Sequence, residues 1–158
     1  MDNRDFRDIL GKFATGVCVI TTSADGVPAF GMTVNSFCSL SLSPPLVMWS
    51  IGESSDCFSD FEKVGRYAVN ILREDQQYLS ARYSKKAEHA LHDGDWEEGK
   101  SGCPVLAESL ASVECEIETR VNGGDHVILI GRVLSASAGD EAKPLLFYSG
   151  RYAELTEQ

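Results

Sequence analysis

The 158-residue sequence has no apolar run approaching the ~20 residues that a membrane span needs. Its first ten residues, MDNRDFRDIL, carry charges where a signal peptide would place an apolar stretch, so a cytoplasmic protein is expected. Positive charge is scarce: 14 Lys plus Arg face 24 Asp plus Glu, and the formal charge of −10 repels nucleic-acid phosphates and anionic lipid. Neither nucleic acid nor membrane is therefore an expected partner, and a phosphate ester would need a local positive site. The five cysteines, Cys18, Cys38, Cys57, Cys103 and Cys115, include no C-x-x-C pair and read as reduced, mostly buried thiols. His89 and His92 form an H-x-x-H pair with no cysteine or third histidine at a metal-site spacing, so no metal is expected. No G-x-G-x-x-G fingerprint occurs, so a Rossmann domain is not expected either.

What is present fits one ordinary globular domain over residues 1–158, with 43% hydrophobic and 24% charged residues. Small and hydroxyl side chains crowd the stretch Gly31–Ser50, GMTVNSFCSLSLSPPLVMWS. Thr33, Asn35, Ser36, Ser39, Ser41 and Ser43 alternate there with Met32, Val34, Phe37, Leu40 and Leu42, as a half-buried strand requires. Pro44 and Pro45 interrupt the pairing before Leu46–Trp49 resume as an apolar strand. Composition alone reads this stretch equally as a ligand shelf or as a serine-rich edge strand with a proline turn.

Asp2 or Asn3 can cap a helix whose Phe6, Ile9, Leu10 and Phe13 share one face, weakened at Gly11 and ended at Gly16. Val17–Thr22, the turn signal Asp25-Gly26 and Ala29–Val34 read as a hairpin entering the serine-rich stretch. Gly31 allows a bulge or the approach of something flat. Ser54 or Ser55 can cap a short helix with Phe58, Phe61 and Val64 inward, and its start beside Ser50 could hold an anion or simply be a capped helix. Tyr67–Leu72 is a strand, and Glu74–Tyr83 a helix with Leu79 inward and Arg82, Lys85 and Lys86 at its exit.

Residues Ala87–Ser101 are acidic and without a clean period, and read as a surface loop or lid. Within them GDWEEGKS matches the letters of a phosphate-binding loop. No apolar strand precedes it, and Asp95, Glu97 and Glu98 would occupy the phosphate positions, so that reading is rejected. Val113–Val121 alternates as a half-exposed strand with Glu114, Glu116, Glu118 and Arg120 outward. A turn at Asn122–Asp125 leads to His126–Leu134, apolar on both faces, which points to a homodimer. His126 beside that turn reads as a structural histidine unless a ligand lies near it. Pro144–Tyr152 adds a last strand and a turn at Ser149-Gly150. Six or seven mostly antiparallel strands with three peripheral helices predict a small, mainly β barrel.

Taken together, GKFATGVCVITT (Gly11–Thr22), GMTVNSFCSLSLSPPLVMWSIG (Gly31–Gly52), YAVNIL (Tyr67–Leu72), GCPVL (Gly102–Leu106), GDH (Gly124–His126) and PLLFYSGRY (Pro144–Tyr152) resemble the short-chain flavin reductases. The resemblance is closest to the reductase components of two-component phenol and 4-hydroxyphenylacetate monooxygenases, and it departs from them at the acidic Glu88–Glu98 segment. It implies a homodimeric, antiparallel FMN-binding split barrel that uses FMN or FAD with NADH or NADPH and supplies reduced flavin to a separate monooxygenase. It further implies that Thr33, Val34, Asn35, Ser36 and Ser39 border the flavin, largely through backbone groups. Ser50, Ile51, Ser54 and Ser55 would surround the ribityl phosphate, and Arg82, Tyr83 and Ser84 would reach the phosphate or an FAD pyrophosphate. His126 and Tyr152 would border the nicotinamide nucleotide. Hydride transfer between two held rings needs no protein nucleophile, so no catalytic side chain is expected. A non-catalytic flavin-binding carrier or sensor on the same barrel is the alternative, and an oxidase of a phosphorylated vitamin a third possibility.

Overall fold

The computed structural model describes residues 2–24 and 26–156. Helix α1 (Asn3–Leu10) begins where the Asp2 carboxylate accepts the N–H groups of Arg4 at 2.7 Å and Asp5 at 2.8 Å. It ends at Gly11, five residues earlier than the expected stop at Gly16. There follow β1 (Thr15–Gly16), β2 (Cys18–Ala24), β3 (Val27–Val34), β4 (Cys38–Leu42), β5 (Pro45–Gly52), the single-turn α2 (Phe58–Phe61) and β6 (Arg66–Ile71). A 3₁₀ turn at Glu74–Gln76 leads into α3 (Gln77–Tyr83). The remaining strands are β7 (Trp96–Glu98), β8 (Pro104–Leu106), β9 (Ala111–Gly123), β10 (His126–Ala138), β11 (Leu146–Tyr148) and β12 (Arg151–Ala153). Of the turn predicted at Asp25-Gly26, Asp25 lies outside the described residues, while Gly26 has a positive φ of 78°. Among the described residues no helix is long and apolar enough to cross a membrane.

Seven strands form one antiparallel sheet in the order β3-β2-β6-β9-β10-β5-β4. Its two edges, β3 and β4, are not hydrogen-bonded to each other, so the expected barrel is not closed by pairing. The main core gathers Ile20, Phe30, Trp49, Ile51, Phe61, Tyr67 and Leu129. Trp49 meets Phe61 and Tyr67 edge-on at centroid distances of 5.0 and 5.8 Å, and Phe61 meets Phe30 at 5.0 Å. On β10 a side chain at Gly131 would run into the Tyr67 hydroxyl. A second core of Val17, Val19, Leu72, Leu79, Tyr83, Leu106 and Leu145 lies under α3. Four of the five cysteines are buried and Cys38 is exposed, with no disulfide. Burial pushes the thiols of Cys18, Cys57 and Cys115 up to about 12.

Several sequence expectations change. Glu114, expected on the exposed face of β9, is buried at 5% exposure. A register irregularity opposite Val133–Ser135 breaks the alternation there. The Glu114 carboxylate accepts the N–H groups of Lys100 at 2.9 Å and Ser101 at 2.8 Å, and also the Ser101 hydroxyl. The amides of the loop that mimics a phosphate-binding motif are thus occupied by a carboxylate of the chain itself. The acidic 87–101 segment is not wholly loop. Gly31 N–H donates to His89 O at 2.8 Å, Leu91 N–H to Ala29 O at 2.9 Å, and β7 pairs with β8. Gly31 itself carries no bulge, pairing in register with Thr21, and a Cβ there would meet Leu91 and Val19 at 3.1 Å. β10 buries Val127, Leu129 and Gly131 on one face and leaves Ile128 and Ile130 half-buried and Leu134 exposed on the other. Phe6, Ile9 and Leu10 of α1 are likewise uncovered, as is Phe13 just beyond it at 79% exposure.

One buried amide ties these layers together. Asn70 Nδ2 donates to Val19 O at 3.0 Å and to Thr21 Oγ1 at 2.8 Å, while its Oδ1 accepts Leu106 N–H at 2.9 Å and the Ser112 hydroxyl at 3.2 Å. Replacing it by alanine leaves several buried polar groups unsatisfied and creates a void. Asn70→Ala is expected to lower the unfolding free energy by about 3 kcal/mol in a urea titration.

Candidate functional site

The C-terminal end of β3 and the loop after it are fixed by their own hydroxyls. Thr33 Oγ1 donates to Ser80 O on α3 at 2.8 Å. Ser36 Oγ donates to Ser50 O at 3.1 Å and accepts Ser50 N–H at 3.0 Å, a reciprocal clasp between the β3–β4 loop and β5. Both hydroxyls are spent on backbone, so what this segment offers a ligand is its peptide edge and the Asn35 amide. Beside it opens a cavity of about 270 Å³, walled by Thr33, Val34 and Asn35, by Ser80 and Ser84 on α3, and by Val17, Phe147 and Tyr152. The Tyr152 hydroxyl and Ser80 Oγ lie 2.8 Å apart and close its floor. A larger cavity of about 690 Å³ lies between α1 and the β11–β12 hairpin, and Asn35 and Phe147 line both.

Of the residues implied in flavin or nicotinamide binding, Thr33, Val34, Asn35, Ser84 and Tyr152 meet at the smaller cavity. The others lie elsewhere in the single chain. Ser39 is exposed on β4, opposite Val47. Ile51 is core, beside a separate cavity of about 120 Å³ with Phe58, Phe61 and Arg120. Ser54 is exposed. Ser55 Oγ accepts Cys57 N–H at 3.3 Å and donates to Met32 Sδ at 3.5 Å. The cap residue of α2 is Cys57, with no side-chain cap bond, in place of the expected Ser54 or Ser55.

Arg82 is not a free cation. It pairs with Asp95 of the acidic segment, and its guanidinium lies 5.9 Å from the ring centres of both Tyr78 and Tyr83. Tyr83 is fully buried, and burial raises its hydroxyl above the usual tyrosine range. Any contact it makes with a ligand is therefore through its backbone. His126 Nδ1 lies 2.8 Å from Asp125 Oδ1, and this hydrogen bond holds the Asp125 carboxyl below its ordinary range. A Cβ on Gly52 would come within 3.4 Å of His126 Nε2, so the strand pair β5–β10 stays slim there.

Sequence reading passed over Val17, Ser80 and Phe147 as cavity residues. Ser80 was legible as the helical i, i+4 partner of Ser84. It also passed over a clasp between distant segments. His89 Nε2 lies 2.9 Å from Asp56 Oδ1, its Nδ1 lies 3.0 Å from Gly31 O, and Asp56 Oδ2 accepts Ala87 N–H at 2.7 Å. The Ala87 amide, with His89, holds the Asp56 carboxyl below its ordinary range. With Cys57 these residues place three ligand-type atoms within 4.8 Å of one another, a grouping no local spacing announces.

Residues 10–156 match the model of the flavin reductase like domain. The chain is 43% identical over 155 residues to the reductase subunit HsaB of a flavin-dependent monooxygenase from Rhodococcus jostii, covering 98% of this chain and 79% of that one. The structure superposes on flavin reductase PheA2 in its native state with a TM-score of 0.91 at 43% identity, covering 99% and 100% of the two chains. It superposes equally, at 0.91 and 32% identity, on the Streptomyces globisporus NADH:FAD oxidoreductase SgcE6 in complex with NAD and FAD fragments, covering 98% and 93%.

The Ser36 clasp has a measurable consequence. Ser36→Ala leaves Ser50 N–H and C=O without their partner and is expected to cost about 1–2 kcal/mol, which thermal unfolding would read as a fall in Tm of several degrees.

Proposed function

The chain belongs to the flavin reductase like family, and on that premise we propose that it is a NAD(P)H:flavin oxidoreductase whose reduced flavin serves a separate monooxygenase. The observation that carries the reading is the cavity at Thr33–Asn35. Val17, Val34 and Phe147 give it apolar walls, while Asn35, Ser84 and the Ser80–Tyr152 hydroxyl pair give it a polar rim. That combination fits a flat ring with one hydrogen-bonding edge. Held there, FMN or FAD would supply the acceptor for hydride from NADH or NADPH.

The chain's own part is to hold and orient. Thr33 and Ser36 spend their hydroxyls on Ser80 O and Ser50, which keeps the loop carrying Asn35 rigid. Preorganised donors at the site cost no rearrangement when negative charge develops on the acceptor. Tyr152, fixed by Ser80, borders the space open to the nicotinamide. Ser50, Ile51, Ser54, Ser55 and His126 sit together around the β5–β10 strand ends. We assign Ser50, Ser54, Ser55 and His126 to the phosphate end of the flavin and to the dinucleotide, with Ile51 contributing from the core only through its backbone, Ser84 from α3, and Arg82 only where a ligand displaces Asp95.

The uncovered side chains of α1 and the half-exposed outer face of β10 support a homodimer that completes the split barrel. The family model over residues 10–156 supports one domain, which we assign to the cytoplasm. A carrier or sensor without turnover is the second reading. Mixing the protein with NADH or NADPH and excess FMN or FAD separates the two. The oxidoreductase consumes nicotinamide well above the protein-free control, and no consumption with either flavin overturns that assignment. His126→Ala is expected to raise KM for NADH about tenfold with flavin affinity nearly unchanged, as steady-state kinetics and flavin fluorescence titration would show. Equal loss of both would make His126 structural.

A further inference from the structure

We propose that Asp56, Cys57 and His89 form a Zn²⁺ site that fastens the start of the acidic segment to the sheet, an inference independent of the oxidoreductase reading. The residues come from two distant stretches. Asp56 and Cys57 lead into α2, and His89 lies where the acidic segment runs along the outer edge of β3, with Ala90 bridging to Phe30. Their ligand atoms, a carboxylate oxygen, a sulfur and an imidazole nitrogen, lie within 4.8 Å of one another. Zn–N and Zn–O bonds of about 2 Å and a Zn–S bond of about 2.3 Å set tetrahedral ligand atoms roughly 3.3–3.6 Å apart. Small side-chain rotations close the difference.

The hydrogen bonds of His89 point to a cation. Gly31 O can only accept, so His89 Nδ1, 3.0 Å away, carries the ring proton. In the neutral imidazole Nε2 then presents a lone pair, and it faces Asp56 Oδ1 at 2.9 Å. A lone pair and a carboxylate at that distance require positive charge between them. A second ring proton meets the requirement, and so does a metal ion. The Cys57 sulfur beside the pair is a ligand that only the metal uses.

The ligands are already oriented from behind. His89 O accepts Gly31 N–H at 2.8 Å, so ring and backbone are both fixed on one residue of β3. Asp56 Oδ2 accepts Ala87 N–H at 2.7 Å, which leaves Oδ1 for the cation. A ring N–H given to a carbonyl and a carboxylate held by an amide are the outer contacts that raise metal affinity. A depression of about 370 Å³, lined by all three residues and by Asp60, opens the site to solvent. Asp60 pairs with Lys63 at 3.1 Å, so the fourth position falls to water. Sulfur and imidazole favour Zn²⁺ over Mg²⁺ or Ca²⁺. The Cys57 thiol, whose ionisation burial pushes up to about 12, gives its proton to solvent as the thiolate coordinates.

The untagged chain is treated with a chelator, desalted and titrated calorimetrically with Zn²⁺. One ion per chain is expected with Kd of about 1 μM or tighter, unchanged by millimolar Mg²⁺. Cys57→Ser and His89→Gln are each expected to weaken binding at least about tenfold. Titration with Co²⁺ reads the sulfur directly, as a thiolate-to-cobalt charge-transfer band in wild type that Cys57→Ser abolishes. Lys86, exposed just ahead of Ala87, reports the fastening: Zn²⁺ is expected to slow tryptic cleavage after it about tenfold in wild type and not in His89→Gln. No Zn²⁺ binding by wild type overturns the proposal and makes the Asp56–His89 pair a proton-bridged one. An affinity that either substitution leaves unchanged also overturns it, and binding without protection at Lys86 overturns the fastening. If Cys57→Ser does not fold, His89→Gln and the cobalt band of wild type decide.

Discussion

A side-chain amide that no water reaches, Asn70, sets the geometry from which the site descends. Its four hydrogen bonds reach β2 through Val19 and Thr21, β8 through Leu106, and β9 through Ser112. In a low-dielectric interior such a fully satisfied network specifies one arrangement, because any slip leaves donors or acceptors bare. From β8 the chain passes to Ala107, whose carbonyl accepts the Gln76 side-chain amide at 3.1 Å and so places the start of α3. The Thr33 hydroxyl then reaches across to Ser80 O. The wall of the cavity at Thr33–Asn35 is thus the far end of a hydrogen-bonded chain that begins in the core.

Electrostatics divides the molecule differently. Much of the acidity is spent internally. Glu114 cradles the amides of Lys100 and Ser101, Asp95 holds Arg82, and Asp56 holds the His89 end of the acidic segment. These contacts dock a stretch that composition presents as a solvated loop, and they make its charge structural. The negative charge that these contacts absorb is therefore held by partners within the fold.

The sequence made the sheet legible wherever a local period or turn signal carried the information. The hairpin strands Val17–Thr22 and Ala29–Val34, the strand Tyr67–Leu72 and the Ser149-Gly150 turn all stand where alternation and glycine placed them. The chain-long spacing of motifs carried the family. What periodicity could not carry was partnership. Glu114 looked outward because a register irregularity in another strand is invisible in its own neighbourhood. The Thr33 and Ser36 hydroxyls looked like ligand donors because nothing local says that backbone groups 14 and 47 residues away will claim them. Arg82 looked free for the same reason, since its partner Asp95 sits in a segment without a period. The helix stop moved from Gly16 to Gly11 because either glycine can end a helix, and the β1–β11 pairing of Thr15 with Phe147 is what decides.

The burial of the thiols has a meaning beyond packing. Reduced flavin released into air reacts with oxygen and yields peroxide, so such a protein works beside an oxidant of its own making. Peroxide attacks thiolate, and burial, which pushes the ionisation of Cys18, Cys57 and Cys115 up to about 12, keeps these groups in the unreactive thiol form. The core is therefore chemically quiet toward the by-product of the proposed reaction, and Cys38, exposed on the edge strand β4, is the sulfhydryl that meets it first.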